Sequence, residues 1–406
     1  MRVIKDEGMN VPVKLWLDEV EESASKQIDN LAQLPFAYHH IAIMPDCHAG
    51  YGMPIGGVLA TEGVVIPNAV GVDIGCGMCA VKTSLKVEQL DNETIKKIFG
   101  GSKEYHGGIR SEIPVGMNRH SKKQDETLMP KGEVDWVFDS LKYSVVKEEY
   151  QSALTQIGTL GGGNHFIEFQ KDQDGYIWIM IHSGSRNLGY KVANYYNNLA
   201  IKLNDKWHTK VPKEWQLAFL PLDSKEGQYY LIEMNYCVEF ALANRRLMMV
   251  RIFDSIYKTL GENTFSPEGD IINIAHNYAT MEHHFGQDVM VHRKGATLAR
   301  EGTIGIIPGS QGSKSYIVRG LGNPESFTSC SHGAGRVMSR TKAQATLNLE
   351  EEIQKMNAKG IVHGIRTQKD LDECASAYKN IDTVMENQKD LVEIVTELTP
   401  LAVIKG

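Results

Sequence analysis

Tyr176-Ile-Trp-Ile-Met-Ile-His182 decides how this 406-residue chain reads. The run is apolar without polar alternation, too short for an ordinary helix, and carries three β-branched isoleucines. It therefore predicts a strand buried on both faces that delivers His182 at its end. Just upstream, Gly161-Gly-Gly-Asn-His-Phe-Ile-Glu168 places His165 between a glycine-rich turn and a second strand. Downstream, Ser183 to Arg186 turns, Leu188 to Lys206 has an amphipathic helical pattern, residues 210 to 228 form an excursion, and Tyr229 to Leu260 reads as a long helix.

Farther out, the first 80 residues alternate apolar runs such as His40 to Met44 and Gly57 to Ala60 with Gly and Pro, as strands and tight turns do. Helix is expected from Val87 to Phe99 and from Val134 to Gln156, with a polar, basic surface loop or lid over 101 to 130. Asp270 to Val318 reads as strand-rich, with turns at Arg293 to Gly295, Glu301 to Gly302 and Pro308 to Gly312. His332 to Ala345 opens on Gly-Ala-Gly and is expected to become helical, and the tail beyond Asp382 to be helix ending in a short strand. The class is mixed α/β. Length alone fits one large unit or two fused lobes.

No apolar run approaches the roughly 20 residues needed to span a bilayer, and Met1 to Met9 carries charges where a signal peptide needs an apolar stretch. A soluble, cytoplasmic protein with no membrane partner is expected. The six cysteines, Cys47, Cys76, Cys79, Cys237, Cys330 and Cys374, show no paired framework and are expected to stay reduced; Cys76-x-x-Cys79 has no second pair to make a zinc ribbon. A net charge of -7 argues against coating nucleic acid by bulk electrostatics. It leaves room for a local basic groove, with candidates in Arg110 to Lys123, Arg293 and Lys294, Lys314 and Arg319, and Arg336 to Lys342. Each run taken singly reads as a solvated face.

Three clusters bear chemistry. In Gly71-Val-Asp-Ile-Gly-Cys-Gly-Met78 the glycines let Asp73 and Cys76 converge, and a carboxylate with a thiolate suits a transition metal better than Mg²⁺ or Ca²⁺. Alone this is a turn Asp and a buried Cys. With His165, His182 and His276, each beside Gly, Ser or Asn, it becomes a metal site. Five ligands exceed one closed zinc shell, and two metals sharing the thiolate would use them all. In Ser331-His-Gly-Ala-Gly-Arg-Val-Met-Ser-Arg340, a glycine-rich turn entering a helix would cradle phosphate, and His332 at its mouth would be a nucleophile. Spacing does not choose between that and a helix-capping loop with an incidental histidine. Pro308-Gly-Ser-Gln-Gly-Ser-Lys-Ser315 and Met44-Pro-Asp-Cys-His-Ala-Gly50 are weaker; each alone reads as a surface turn, although Asp46 and His48 could support the site or face RNA.

Taken in order, Gly-Val-Asp-Ile-Gly-Cys-Gly-Met, Gly-Asn-His-Phe-Ile-Glu, His-Ser-Gly-Ser-Arg, Ile-Pro-Gly-Ser and Ser-His-Gly-Ala-Gly-Arg resemble the RtcB family of RNA ligases, from about residue 40 to Lys405-Gly406. The resemblance implies one catalytic domain, residues 1–406, with central β-sheets around a two-manganese site. It implies that Asp73, Cys76 and His165 hold one Mn²⁺ and that Cys76, His182 and His276 hold the other. His332 is the implied guanylylated histidine. Implied contacts to GTP are Asn164, His165, Phe166, Ile167, Glu168, His276, Asn277, Pro308, Gly309, Ser310, Gln311, Ser315, Gly333, Ala334, Gly335, Tyr378 and Lys405. The implied partner is RNA with a 3'-phosphate or 2',3'-cyclic phosphate and a 5'-hydroxyl; any activating protein is left open. Gln311 stands where the family usually has Met and Asn187 where Gly is common, and neither removes a ligand. Rival readings are a binuclear phosphoesterase acting on RNA phosphates without a nucleotide, and a silent RNA-binding scaffold.

Overall fold

The computed structural model describes residues 1–101, 104–131 and 143–406. Among these, two large sheets carry the fold. One has the spatial order β1 (Arg2–Ile4), β2 (Val13–Leu15), β3 (Ala37–His48), β4 (Ile55–Thr61), β12 (Gln287–Lys294), β11 (Asn277–His284). The other runs β10 (Pro267–Ala275), β6 (Gly77–Lys86), β8 (Tyr176–Ser183), β7 (Phe166–Lys171), β17 (Val392–Lys405), β15 (Ser315–Gly320), β14 (Ile304–Ile307). Two short pairs, β5 (Val64–Val65) with β9 (Leu220–Pro221) and β13 (Ala296–Leu298) with β16 (Ser329–Ser331), complete the strands. The class is mixed α/β as the sequence predicts.

The apolar run that opened the reading is central strand β8, and both its faces are buried. Ile177, Ile179 and Ile181 pack with Met248, Ile252 and Ile256 of the helix Lys225–Leu260, while Trp178 and Met180 pack with Met78, Ala80, Ile306 and Ile317. A strand with core on either side has no solvent face to mark with polar residues. The 36-residue helix begins four residues earlier than expected, at a Ser224 N-cap whose side chain accepts from the Gly227 amide.

Strand register then gathers the candidate residues. Gly77 pairs with Ala275 and with Ser183, and Phe166 pairs with His182 and with Lys405. Cys76, His182, His165, His276 and Lys405 thus come to one end of neighbouring strands.

Several expectations fail for nonlocal reasons. Residues 332–339 are not helical; the helix here is Arg340–Thr346. Gly335 has φ +74° and its carbonyl accepts from the Lys379 amide, while Val337 donates to Ala377, so the segment pairs with residues 377 to 379 through an isolated bridge instead of coiling. The tail is a short helix, Ile381–Glu386, followed by the long strand β17. The first 80 residues also contain a helix, Glu22–Ala32, whose buried Ala24, Ile28, Leu31 and Ala32 fall at helical spacing. Within 101 to 130, Ile109 and Ile113 are fully buried and Gly116 donates to Gly161 at 2.7 Å, which is docking rather than a free loop. Helix occupies Val145–Ala153, and the expected stretch before residue 143 lies outside the described residues.

Two buried polar residues of the long helix lock the ligand-bearing loops. Arg245, fully buried, donates through Nη1 to the carbonyls of Gly75 (3.0 Å) and Ser183 (2.8 Å) and through Nε to Asn273 Oδ1 (2.8 Å). Asn244 accepts from the Gly158 and Thr159 amides and donates to Thr159 O and Gly184 O. Removing such a donor strands buried carbonyls, so Arg245→Ala should lower unfolding free energy by about 3 kcal/mol or more. Urea unfolding checks this, and an unchanged midpoint would show that the loops are held elsewhere.

Candidate metal centre and active-site cleft

Asp73 and Cys76 lie on the turn between the short helix Pro67–Val70 and β6; His165 precedes β7, His182 is in the last turn of β8, and His276 sits between β10 and β11. Their donor atoms form two triplets that share Cys76: Asp73, Cys76, His165 and Cys76, His182, His276, each with ligand atoms within 4.8 Å of one another. Cys76 Sγ stands 3.5 Å from His165 Nε2 and 3.2 Å from His182 Nε2. His165 Nε2 is 3.1 Å from Asp73 Oδ2, and the Nε2 atoms of His182 and His276 are 3.4 Å apart.

These donors fit divalent metal. His165 Nδ1 is 2.9 Å from the Leu160 carbonyl and His182 Nδ1 is 2.9 Å from the Asn164 carbonyl. A carbonyl only accepts, so each Nδ1 carries the hydrogen and each Nε2 turns a lone pair inward. Lone pairs face lone pairs across the cluster, and cations resolve that. Burial holds His182 and His276 well below the ordinary imidazole range, keeping them neutral. Burial, reinforced by the Asp73 carboxylate, pushes the Cys76 thiol well up, so its thiolate forms only against a cation. Burial also acts to raise Asp73, but its His165, Cys76 and Arg186 neighbours outweigh it and hold the carboxyl at about 2, ionised to face a cation. A Cβ on Gly184 would stand 2.3 Å from Asp73 Oδ1, so only glycine lets the carboxylate in.

The cluster opens into a cleft of about 830 Å³. Of the sequence candidates, Asp73, Cys76, Asn164, Phe166, His182, His276, Asn277, Pro308 to Gln311, His332 to Gly335, Tyr378 and Lys405 line it. His165, Ile167, Glu168 and Ser315 do not. Ile167 points into the core behind β7. Glu168, on the Phe166 face, is buried with Gln170, which donates to both Glu168 and Ser315 Oγ (3.0 Å); burial pushes the Glu168 carboxyl up to about 8. The Asn277 amide is already engaged, donating to Asp73 O (3.0 Å) and accepting from the Gly295 amide (2.8 Å).

His332 follows β16 and its ring lies 4.7 Å from that of His276. Its Nδ1 is 2.6 Å from Asp46 Oδ2, and its amide donates to the same oxygen at 3.1 Å. Asp46 is completely buried, which overturns the surface-turn reading of its motif. Although burial acts to raise it, the His332 imidazole holds this carboxyl below its usual value. Gly335, at φ +74°, would bring a Cβ to 2.2 Å from Asp46 O, so glycine permits the close approach.

The glycine-rich segment is not a helix N-terminus, so the dipole cradle read from its sequence is absent. Arg293, read as part of a basic groove, is buried instead and pairs with Glu282 at 2.5 Å; Lys294 is buried too and donates to the carbonyls of Tyr51 and Asn68, but it does line the cleft. Lys314 and Arg319 pair with Glu397 (2.8 Å) and Glu393 (3.1 Å). All six cysteines are free and buried; Cys79 sits in the core behind the sheet, away from any pairing with Cys76. Among the described residues no helix is long and apolar enough to cross a membrane.

Known proteins resemble this chain over nearly its whole length. A family model described as tRNA-splicing ligase RtcB matches residues 27–406. The RNA-splicing ligase RtcB of Escherichia coli (strain K12) is 40% identical over 411 residues, covering 98% of each chain. The tRNA-splicing ligases RtcB of Methanococcus maripaludis and Nanoarchaeum equitans are 32% and 33% identical, over 98% and 99% of this chain and 95% and 97% of theirs. With a match over nearly its whole length, this chain belongs to the RtcB family of RNA-splicing ligases.

Proposed function

We propose that residues 1–406 act as one catalytic unit that joins an RNA 3'-phosphate or 2',3'-cyclic phosphate end to a 5'-hydroxyl end, using GTP, two Mn²⁺ ions and a guanylylated His332. The observation that carries the reading is the buried Asp46 carboxylate 2.6 Å from His332 Nδ1 beside the Cys76, His182, His276 triplet. The carboxylate fixes the Nδ1–H tautomer, and the Nε2 lone pair is left free as nucleophile.

His332 Nε2 attacks the α-phosphorus of GTP, forming an N–P bond as the P–O bond to pyrophosphate breaks. An oxygen of the RNA 3'-phosphate next attacks that phosphorus, the N–P bond breaks, and the imidazole recovers its lone pair. The 5'-hydroxyl of the second fragment then attacks the original 3'-phosphate, GMP leaves, and a phosphodiester remains. A cyclic phosphate is first opened by water. Metal ions on the two triplets supply charge neutralisation at phosphorus. A thiolate and three imidazoles favour Mn²⁺ over Mg²⁺.

The Pro308 to Gln311 wall, Asn164, Phe166, the backbone of 333 to 335, Tyr378 and Lys405 are the proposed nucleotide pocket. Ile167 contributes backbone only, since its side chain is in the core. Glu168 and Ser315 lie beneath the lining and are the deepest members.

Incubation with α-labelled GTP and Mn²⁺ should leave acid-labile, base-stable label on the denatured protein, as a phosphoramidate does, and His332→Ala should abolish it. The same variant should still seal RNA already carrying a 3'-guanylate cap, whereas Cys76→Ala should seal neither substrate. Normal labelling of His332→Ala would place the nucleophile elsewhere.

Guanine N1–H and its 2-amino group donate hydrogen bonds, so Glu168 accepts them only as a carboxylate, yet it holds its proton up to about pH 8 in the free protein. Binding then releases a proton. GTP affinity should rise up to about tenfold per pH unit from pH 6 towards 8 and level off above, and Glu168→Gln should flatten the curve. Calorimetric titration measures this; a pH-independent affinity in the unsubstituted protein would remove Glu168 from guanine recognition.

A further inference from the structure

We propose that Glu373 is a positioning residue that aims the Arg340 guanidinium at a phosphate of the bound RNA, with Gln311 holding Glu373 in place. The inference rests on the RNA-ligase reading above. Glu373 ends the 3-10 segment Gln368–Glu373 and is only 3% exposed. Its Oε1 accepts from Arg340 Nε at 2.5 Å; its Oε2 accepts from Arg336 Nη1 at 2.8 Å and from the Tyr378 hydroxyl.

The two arginines are treated differently. Arg336 is consumed by the protein, because its Nε also donates to Met338 O (3.0 Å), its Nη2 to Asp372 O (2.6 Å) and its Nη1 to Tyr378 Oη (3.2 Å). It is a brace. Arg340 is tied at Nε only. Its side chain is 50% exposed, and among the described residues neither Nη group has a hydrogen-bond partner. Both arginines line the cleft, and Arg340 Nη2 lies 3.3 Å from where a Cβ on Gly163 would sit, next to Asn164 and His165.

A carboxylate that occupies Nε leaves the Nη1 and Nη2 amines outward as a pair of donors, the geometry that matches two oxygens of a phosphate. A half-exposed fork at the rim of the cleft suits a ligand that extends outward from His332, as a polynucleotide strand does. Gln311 Nε2 donates to the Glu373 carbonyl at 3.1 Å and is itself buried, so the 308 to 314 loop fixes the same residue from the other side.

Bulk electrostatics and aiming predict opposite signs. Removing an anion makes the cleft more cationic and would tighten RNA; losing the aim weakens it. The experiment compares the unsubstituted protein with Glu373→Gln, Arg340→Ala and Gln311→Met, using GTP labelling without RNA and ligation of RNAs carrying one neutral methylphosphonate at each of the linkages nearest the 3' end. Glu373→Gln should raise the RNA KM about tenfold while kcat and the labelling rate change less than about threefold. At one linkage the methylphosphonate should cost the unsubstituted protein about tenfold and the Glu373→Gln and Arg340→Ala variants almost nothing more. Gln311→Met should shift KM in the same direction by a smaller factor.

Arg340→Ala alters a half-exposed side chain and keeps the test valid if Glu373→Gln unfolds. Equal losses in labelling and in RNA KM would make Glu373 a general prop and overturn the proposal. So would a tightened RNA KM, or a methylphosphonate penalty as large in the variants as in the unsubstituted protein. Failure of the unsubstituted protein to label or ligate would instead overturn the functional reading, and this inference with it.

Discussion

Cys76 Sγ lies between two imidazole nitrogens whose lone pairs point at it, and the rest of the architecture is arranged around that juxtaposition. Without cations the arrangement is electrostatically unfavourable: a buried thiol resists ionising, and neutral His182 and His276 meet nitrogen to nitrogen. With cations the same atoms become ligands, and binding energy becomes folding energy for the site. The fold must therefore hold five donors in a geometry that only bound metal makes favourable.

It does so with backbone. The carbonyls of Leu160 and Asn164 orient His165 and His182; Asn244, from the helix behind the sheet, grips the loop that carries them at Thr159, and Arg245 beside it holds the carbonyls of Gly75 and Ser183. Strand pairing at Gly77, Phe166 and His182 sets the spacing. His332 enters from the other sheet's side of the cleft, by way of β16, and is anchored by Asp46 near the end of β3. The half that carries the two ligand triplets and the half that carries His332 thus meet in one place, as the proposed attack at phosphorus requires.

The ligand types and the strand that delivers His182 were legible because they depend on local pattern: a continuous apolar run, and glycines beside potential ligands. What was not legible depends on partners far away in sequence. Gly333 to Gly335 reads as a helix entry, but the Gly335 carbonyl bonds to Lys379 and the Val337 amide to Ala377. Asp46 looked like a turn residue, yet its partner is 286 positions away. Asn244 and Arg245 fall inside a stretch that reads only as a long helix, and nothing local shows that they bind the loops at Gly75, Gly158 to Thr159 and Ser183 to Gly184 and the strand at Asn273. Arg293, Lys314 and Arg319 read as solvated cations, while Glu282, Glu397 and Glu393 on neighbouring strands pair with them. Glu373 was invisible for the same reason, because its role is set by arginines more than 30 positions upstream.

Electron paramagnetic resonance during Mn²⁺ titration shows whether two metal ions are joined through the Cys76 thiolate, as proposed. The protein should take up two Mn²⁺ per chain, and the second equivalent should replace the isolated six-line signal with an exchange-coupled one, which Cys76→Ala should eliminate. Two magnetically independent Mn²⁺ ions, or saturation at a single equivalent, would contradict the proposed bridge.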